Sequence, residues 1–263
     1  MPLKLEGHHA RKRFGQNFLN DRHWIGRIID SIDPRPGEAL VEIGPGQAAL
    51  TKEVIGRAGH ETAVEIDRDL AAWLRGLFTE AELTLIEADA LALDWRSIFP
   101  GRKLRIFGNL PYNISSPILF ALAAVADRVE DQHFMLQREV VERMVCPPGS
   151  RTYGRLSAML QRSYRMEKLF DVPPGAFTPS PKVTSSVVRM VPLARKPGVD
   201  DELYAEVVAA AFGMRRKTLR NALSKLLSAE QIELAGIDPG ARAETLSVGQ
   251  FEALAAALGR ARA

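Results

Sequence analysis

One cysteine, Cys146, stands in the 263-residue chain. No internal disulfide can form, and no cysteine-based zinc site can be assembled. Cys146 lies before two prolines with no histidine or acid signature beside it, and reads as structural rather than as a nucleophile. The five histidines, His8, His9, His23, His60 and His133, show no ligand spacing, so no metal is expected. The start of the chain has no apolar core of signal-peptide length. The longest apolar run, residues 118–126, covers nine residues and is too short to cross a bilayer. A cytoplasmic protein is the expectation. Hydrophobic residues make up 46% and charged residues 25%, which is enough apolar material for a core and excludes global disorder.

Charge of one sign is scarce overall, at net +3, but it is unevenly spread. Residues 31–137 carry ten basic and sixteen acidic groups, whereas residues 138–225 carry sixteen basic and eight acidic. Residues 1–30 are also basic, six against three. A basic second half beside an acidic first half suggests a polyanion partner.

Four short apolar runs alternate with helical stretches. Residues 39–43 end in glycines, 62–66 in an acid pair, 83–86 near Asp89, and 104–107 in Gly108-Asn109. Residues 48–57, 68–78 and 114–126 between them have helical composition. Ahead of them, Asn20 is placed to cap a helix whose apolar face is Trp24, Ile25, Ile28, Ile29 and Ile32. This alternation predicts a parallel sheet with helices on both faces. A fifth strand at 133–136 precedes a helix over 138–145. After Pro147-Pro148-Gly149 a helix from 153, a strand through 169, a proline-rich loop at 173–181 and an alternating strand at 183–191 resemble a hairpin completing the sheet. Residues 192–198 read as a linker, and 200–258 as helices, including 217–227. The expected domains are 1–195, with an N-terminal segment 1–30, and 196–263.

Candidate chemistry sits at the strand ends. Gly44-Pro45-Gly46 lets a cofactor approach the backbone at a helix N-terminus. The three-glycine dinucleotide fingerprint is not met, because Ala48 and Ala49 stand where glycine would be expected. Glu65, 21 residues after Gly44, can accept from both hydroxyls of a ribose. Asp67 belongs more naturally to the cap of the next helix. Asp89 can accept from an adenine amino group, or can cap a short helix instead. Asn109-Leu110-Pro111-Tyr112 suits an exocyclic adenine amine, a poor nucleophile whose lone pair is delocalised into the ring. The Asn109 side-chain oxygen and the Leu110 carbonyl can each accept an amine hydrogen, which favours a pyramidal nitrogen. Pro111 fixes the turn, and Tyr112 offers an aromatic face to an unstacked base. In Phe177-Thr178-Pro179-Ser180-Pro181-Lys182-Val183, Phe177 can close the other face of that base and Lys182 can contact phosphate. A proline-stiffened connection with a core phenylalanine explains the same residues equally well. Arg215, Arg216, Lys217 and Arg220 lie in a stretch with no interleaved acid, which favours phosphate contacts over a solvated helix face.

Together these motifs resemble the ribosomal RNA adenine dimethyltransferases. The resemblance rests on Phe14-Gly15-Gln16-Asn17-Phe18-Leu19, residues 44–46, Asn109 to Tyr112, Phe177 to Val183 and Phe212 to Leu223, in that order. It covers about residues 11–225 and is closer to the bacterial small-subunit members than to the large-subunit enzymes that confer macrolide resistance. It implies a Rossmann-like class I methyltransferase sheet with a small all-α C-terminal domain, and S-adenosylmethionine as methyl donor. It also implies 16S rRNA as partner, with dimethylation of two adjacent adenosines in the 3′-terminal hairpin loop, by a monomer. By the same resemblance Asn17 and Leu19 help close the cofactor site and Gly44 lies under the methionine part. Glu65 would bind ribose, Asp89 adenine, and Asn109 both the cofactor region and the target amine. The chain departs from the family pattern at Gln47-Ala48. Rival readings are an NAD-dependent oxidoreductase, a non-catalytic RNA-binding assembly factor, a DNA adenine methyltransferase and a large-subunit rRNA methyltransferase.

Overall fold

The computed structural model of the chain describes residues 17–111, 114–194, 198–214 and 216–263. Aliphatic runs become strands wherever both faces can be covered. The strands are β1 (Phe18–Leu19), β2 (Ala39–Ile43), β3 (Glu61–Glu65), β4 (Leu83–Glu87), β5 (Leu104–Asn109), β6 (Val129–Gln137), β7 (Tyr164–Val172), β8 (Phe177–Thr178) and β9 (Ser185–Pro192). Among the described residues, seven of them form one sheet in the order β4-β3-β2-β5-β6-β9-β7. Strands β4, β3, β2, β5 and β6 run parallel, and β9 is antiparallel to β6. Every residue of β2 and β3 is buried, as central parallel strands require. The remaining two, β1 and β8, pair antiparallel with each other, Phe18 opposite Thr178 and Leu19 opposite Phe177.

The sheet belongs to a compact unit whose described residues fall within 17–141 and 165–192. Its helices include α1 (Arg22–Ile32), α2 (Thr51–Ala58), α3 (Arg68–Leu77) and α4 (Ser115–Ala123). Helix α1 buries Ile28, Ile29 and Ile32, the face anticipated from its spacing. Its cap differs from the expectation. Asp21, not Asn20, accepts from the backbone N–H groups of His23 and Trp24. Asn20 is instead drawn toward β8, donating from Nδ2 to Thr178 Oγ1 at 2.5 Å and from its backbone N–H to Ala176 O. Asp67 caps α3 as expected, accepting from Asp69 N.

Helix α5 (Arg138–Val145) leads into a second unit, residues 142–164 and 193–263. It holds α6 (Arg155–Ser163), α7 (Asp201–Gly213), α8 (Leu219–Ala222), α9 (Ala229–Leu234) and α10 (Val248–Arg262). Residues 142–164 cluster here because Tyr153 and Ala158 join the core formed by Tyr204, Val208, Phe251 and Leu254. The buried Tyr204 hydroxyl donates to Ala158 O at 2.9 Å. Ser228 with Gln231, and Ser247 with Gln250, close reciprocal capping boxes that start α9 and α10. The helix anticipated over 217–227 is shorter: α8 starts after Thr218, whose side chain makes no capping bond, and covers four residues. Among the described residues no helix is long and apolar enough to cross a membrane.

A buried cation ties α1 to the sheet. Arg105 on β5 faces Asp131 on β6 and binds it through two bonds, Nε–Oδ1 at 2.9 Å and Nη2–Oδ2 at 3.0 Å. The same guanidinium donates to Ile32 O and Asp33 O at the end of α1 and to Glu38 Oε2. Asp131 is buried and its other cation, the half-exposed Arg189, stands 3.9 Å away, so removing Arg105 would strip the carboxylate of both arginine hydrogen bonds. Arg105→Met should therefore lower the unfolding free energy by about 3–5 kcal/mol. Urea denaturation measures this; a loss below about 0.5 kcal/mol, the scale of an exposed pair, would place the charges in solvent-like surroundings.

Candidate active site

The carboxyl ends of β2, β3, β4 and β5 open into one cleft. Such crevices are where open parallel sheets bind ligands. The turn after β2 uses three left-handed residues, Gly44 (φ 69°), Gly46 (φ 55°) and Ala48 (φ 58°). The position where the sequence departs from glycine thus keeps a backbone that glycine favours. Gly44 N–H bonds to Val64 O at 2.9 Å, which sets the glycine turn beside the end of β3.

Glu65 closes β3. Its Oε2 accepts from Gly46 N at 3.3 Å and its Oε1 from Asp67 N at 2.9 Å. Burial pushes its carboxyl above the usual range, while the N–H groups of Asp67, Gly46 and Ile66 pull it back. Asp89, after β4, accepts from Leu91 N at 2.9 Å and lies in a turn rather than at the start of a helix. Glu42 on β2 lies at the cleft, fully buried, and accepts from Thr51 Oγ1 at 2.6 Å.

Asn109 ends β5. Its Nδ2 donates to Asn17 O at 3.0 Å. Because the nitrogen is engaged, the amide oxygen remains as the acceptor. Leu110 is buried and its N–H is bonded to Met135 O. The backbone crowds most tightly one residue earlier, where a Cβ on Gly108 would lie 2.4 Å from Ile43 O. Segment 17–19 forms the remaining wall: the Phe18 ring lies against Gly46, and Leu19 also lines the cleft.

Asn17, Leu19, Gly44, Glu65, Asp89, Asn109, Leu110 and Pro111 all line this single cleft. Phe177 does not. It is 4% exposed and packs with Leu19, Val172 and Ala176, so its ring is held in the core and is not presented to a base. Tyr112 and Arg215 lie outside the described residues. Arg216, Lys217 and Arg220 are exposed on the second unit, Arg216 and Lys217 in the turn before α8. Phe18, Glu42 and the half-exposed Ile66 also line the cleft, and sequence spacing gave no role to Phe18 or Ile66.

A family model described as ribosomal RNA adenine dimethylase matches residues 7–259. The chain belongs to this family. It is 56% identical to ribosomal RNA small subunit methyltransferase A of Aromatoleum aromaticum, over 95% of this chain and 94% of that protein. It is 55% identical to the protein of the same name from Thiobacillus denitrificans, over 95% and 98%. Among solved structures it is similar to the 23S rRNA methyltransferase ErmE, with TM-score 0.70 and 26% identity over 92% of this chain and all of that one. It shares its fold with a dimethyladenosine transferase from Plasmodium falciparum, with TM-score 0.72 and 22% identity over 90% of this chain and 95% of that one.

Adenine dimethylases take their methyl group from S-adenosylmethionine. The cleft fits that molecule. Its described lining brings together Glu42, Glu65 and Asp89 with no lysine, arginine or histidine, an environment for an adenosine that carries a cationic chain. The same lining is unsuited to the pyrophosphate of a dinucleotide, which weighs against hydride transfer. Gly108 is the residue on which this geometry is most exposed to change. Gly108→Ala forces β5 away from β2 and should cost about 1–3 kcal/mol of stability. Thermal unfolding and cofactor titration of the variant check this; an unchanged melting temperature with unchanged affinity would mean that the strands can part freely.

Proposed function

We propose that this chain transfers methyl groups from S-adenosylmethionine to N6 of two adjacent adenosines in the 3′-terminal hairpin loop of 16S rRNA, giving N6,N6-dimethyladenosines during small-subunit biogenesis. The observation that carries the reading is Asn109. Its amide is locked by Asn17 in the same cleft as Glu65 and Asp89, within a family of rRNA adenine dimethylases. The small-subunit assignment follows the relatives at 55–56% identity.

When bound, S-adenosylmethionine supplies a methyl group on a positively charged sulfur. The residues of this chain do the rest. Glu65 and Asp89 hold the ribose and the adenine, and Gly44 leaves room for the methionine part. Asn17 and Leu19 close the wall. Asn109 Oδ1 and the Leu110 carbonyl accept the two hydrogens of the target amine, which turns its lone pair away from the ring. Pro111, with no N–H of its own, keeps the turn from offering a competing donor. No strong base is required, because the amine becomes acidic once it is alkylated and then loses its proton to solvent. Tyr112 supplies the stacking face for the displaced base.

Arg215, Arg216, Lys217 and Arg220 hold the RNA backbone. Arg216, Lys217 and Arg220 are exposed, and none makes an ion pair with a described residue. They are anchored from behind, since Leu219 and Arg220 donate their N–H groups to Ala241 O and Pro239 O.

Two measurements test these assignments. Asn109→Ala removes an acceptor whose importance grows as positive charge develops on the nitrogen. Single-turnover methylation of small subunits lacking the modification should slow on the order of a hundredfold or more, with cofactor affinity far less affected. Transfer at the parental rate by the folded variant would leave a non-catalytic assembly factor as the better reading. Neutralising Arg215, Arg216, Lys217 and Arg220 should flatten the salt dependence of RNA binding by about 0.7–0.9 in slope per lost contact, and leave cofactor binding as it was. An unaltered slope would make the cluster an ordinary solvated surface.

A further inference from the structure

The Asn109 amide is held by a backbone atom on a segment that the main sheet does not secure. Asn109 Nδ2 donates to Asn17 O at 3.0 Å. The direction of the amide oxygen therefore follows from where residues 17–19 lie. Those residues lead into β1, two residues long, whose partner β8 is also two residues long. Neither strand joins the seven-stranded sheet. A two-stranded ladder of this length is marginal by itself.

Burial keeps the two strands together, because Leu19 and Phe177 sit in one apolar core. Their relative slide is fixed by Asn20. Its backbone N–H donates to Ala176 O at 3.0 Å, one residue before Phe177. Its Nδ2 donates to Thr178 Oγ1 at 2.5 Å, one residue after Phe177. Asn20 thus grips β8 on both sides of the buried ring. A slip of one residue would break both bonds and turn Leu19 or Phe177 away from the core. The loop that Asn20 grips is itself braced, since Ser180 Oγ donates to Pro174 O at 2.9 Å. On the other side, Asn20 adjoins Asp21, the cap of α1.

The Asn20 and Thr178 side chains are both exposed. Water competes for a hydrogen bond at such a place, so the bond adds little to folding stability. Its effect is on geometry. A continuous path runs from Thr178 to Asn20, along β1 to Asn17 O, and from there to Asn109 Nδ2. We propose that Asn20 and Thr178 are positioning residues for methyl transfer: their hydrogen bond sets β1 on β8, so that Asn17 O holds the Asn109 amide with its oxygen directed at the target amine. This rests on the role given to Asn109 above. The residues assigned to ribose and adenine, Glu65 and Asp89, follow other strands, so the effect falls on the transfer step more than on cofactor affinity.

Thr178→Val keeps the shape of the side chain and removes the acceptor, whereas Thr178→Ser keeps the hydroxyl. In single-turnover methylation of unmodified small subunits, at saturating protein and cofactor, Thr178→Val should slow transfer about 3- to 10-fold, the worth of one hydrogen bond. Thr178→Ser should stay within about twofold of the parental rate. Asn20→Ala should match Thr178→Val, and combining the two should add no further loss, because they remove the same bond. The melting temperature should barely move in any of these variants. The deciding measurement is a double-mutant cycle with Asn109→Ala. With no amide left to orient, Thr178→Val should cost nothing more in that background. A parental rate in Thr178→Val would overturn the proposal. So would an equal loss in Thr178→Ser, or a loss that persists in full beside Asn109→Ala. If Asn109→Ala alone transfers at the parental rate, the role of Asn109 fails first. That result is distinct from one in which Asn109→Ala is slow and Thr178→Val is not, which rejects the positioning pair alone.

Discussion

The contact between β2 and β5 at Gly108 governs the cleft. There the backbone of β5 comes so close to Ile43 O that no side chain fits. One residue on each strand further, the chains diverge into the Gly44–Ala48 turn on one side and Asn109–Pro111 on the other. The distance between the glycine turn and Asn109 is thus fixed by backbone packing in the middle of the sheet, where both strands are buried. Side chains at the rim inherit that spacing and do not set it. This suits a reaction in which acceptors must meet one nitrogen in a narrow range of orientations, since backbone within a buried sheet moves less than a loop does.

Electrostatics adds a second constraint. The parallel strands end in Glu42, Glu65 and Asp89, and the described lining of the cleft has no base. Burying acids costs stability, and the structure offsets part of it through the Thr51 hydroxyl on Glu42 and the two N–H groups on Glu65. Acids without a facing base make the described lining of the cleft electronegative.

Much of this was legible in the sequence, and the part that was not has identifiable reasons. Strand ends could be read because apolar runs stop at glycine or acid, and the candidate site residues Gly44, Glu65, Asp89 and Asn109 sit at or just past those stops. Asn20 and Asp21 are neighbours of equal capping ability, so only the partner 158 residues away decided between them: Thr178 takes Asn20. Phe177 was ambiguous for the same reason. Its prolines announce a loop, but the pairing of β8 with β1 turns the ring inward. Helical composition over 217–227 overstated α8, because the bonds of Leu219 and Arg220 to the 239–241 turn and the tight turn at Leu223–Leu226 interrupt it. Glu61 gave no signal as one acid among sixteen in its segment; only the register shows it buried on the same face of the sheet as Glu42.

The pairing of β1 with β8 also bears on how the protein is made. A chain leaving the ribosome N-terminus first emits Asn17, Phe18 and Leu19 at the outset, but their partners Phe177 and Thr178 follow about 160 residues later. The parallel core, complete by Gln137, has all its strands long before then. Until residues 177 and 178 are made, β1 has no strand to pair with. The segment that walls the cleft therefore waits for a strand from the far end of the same unit before it can be fastened.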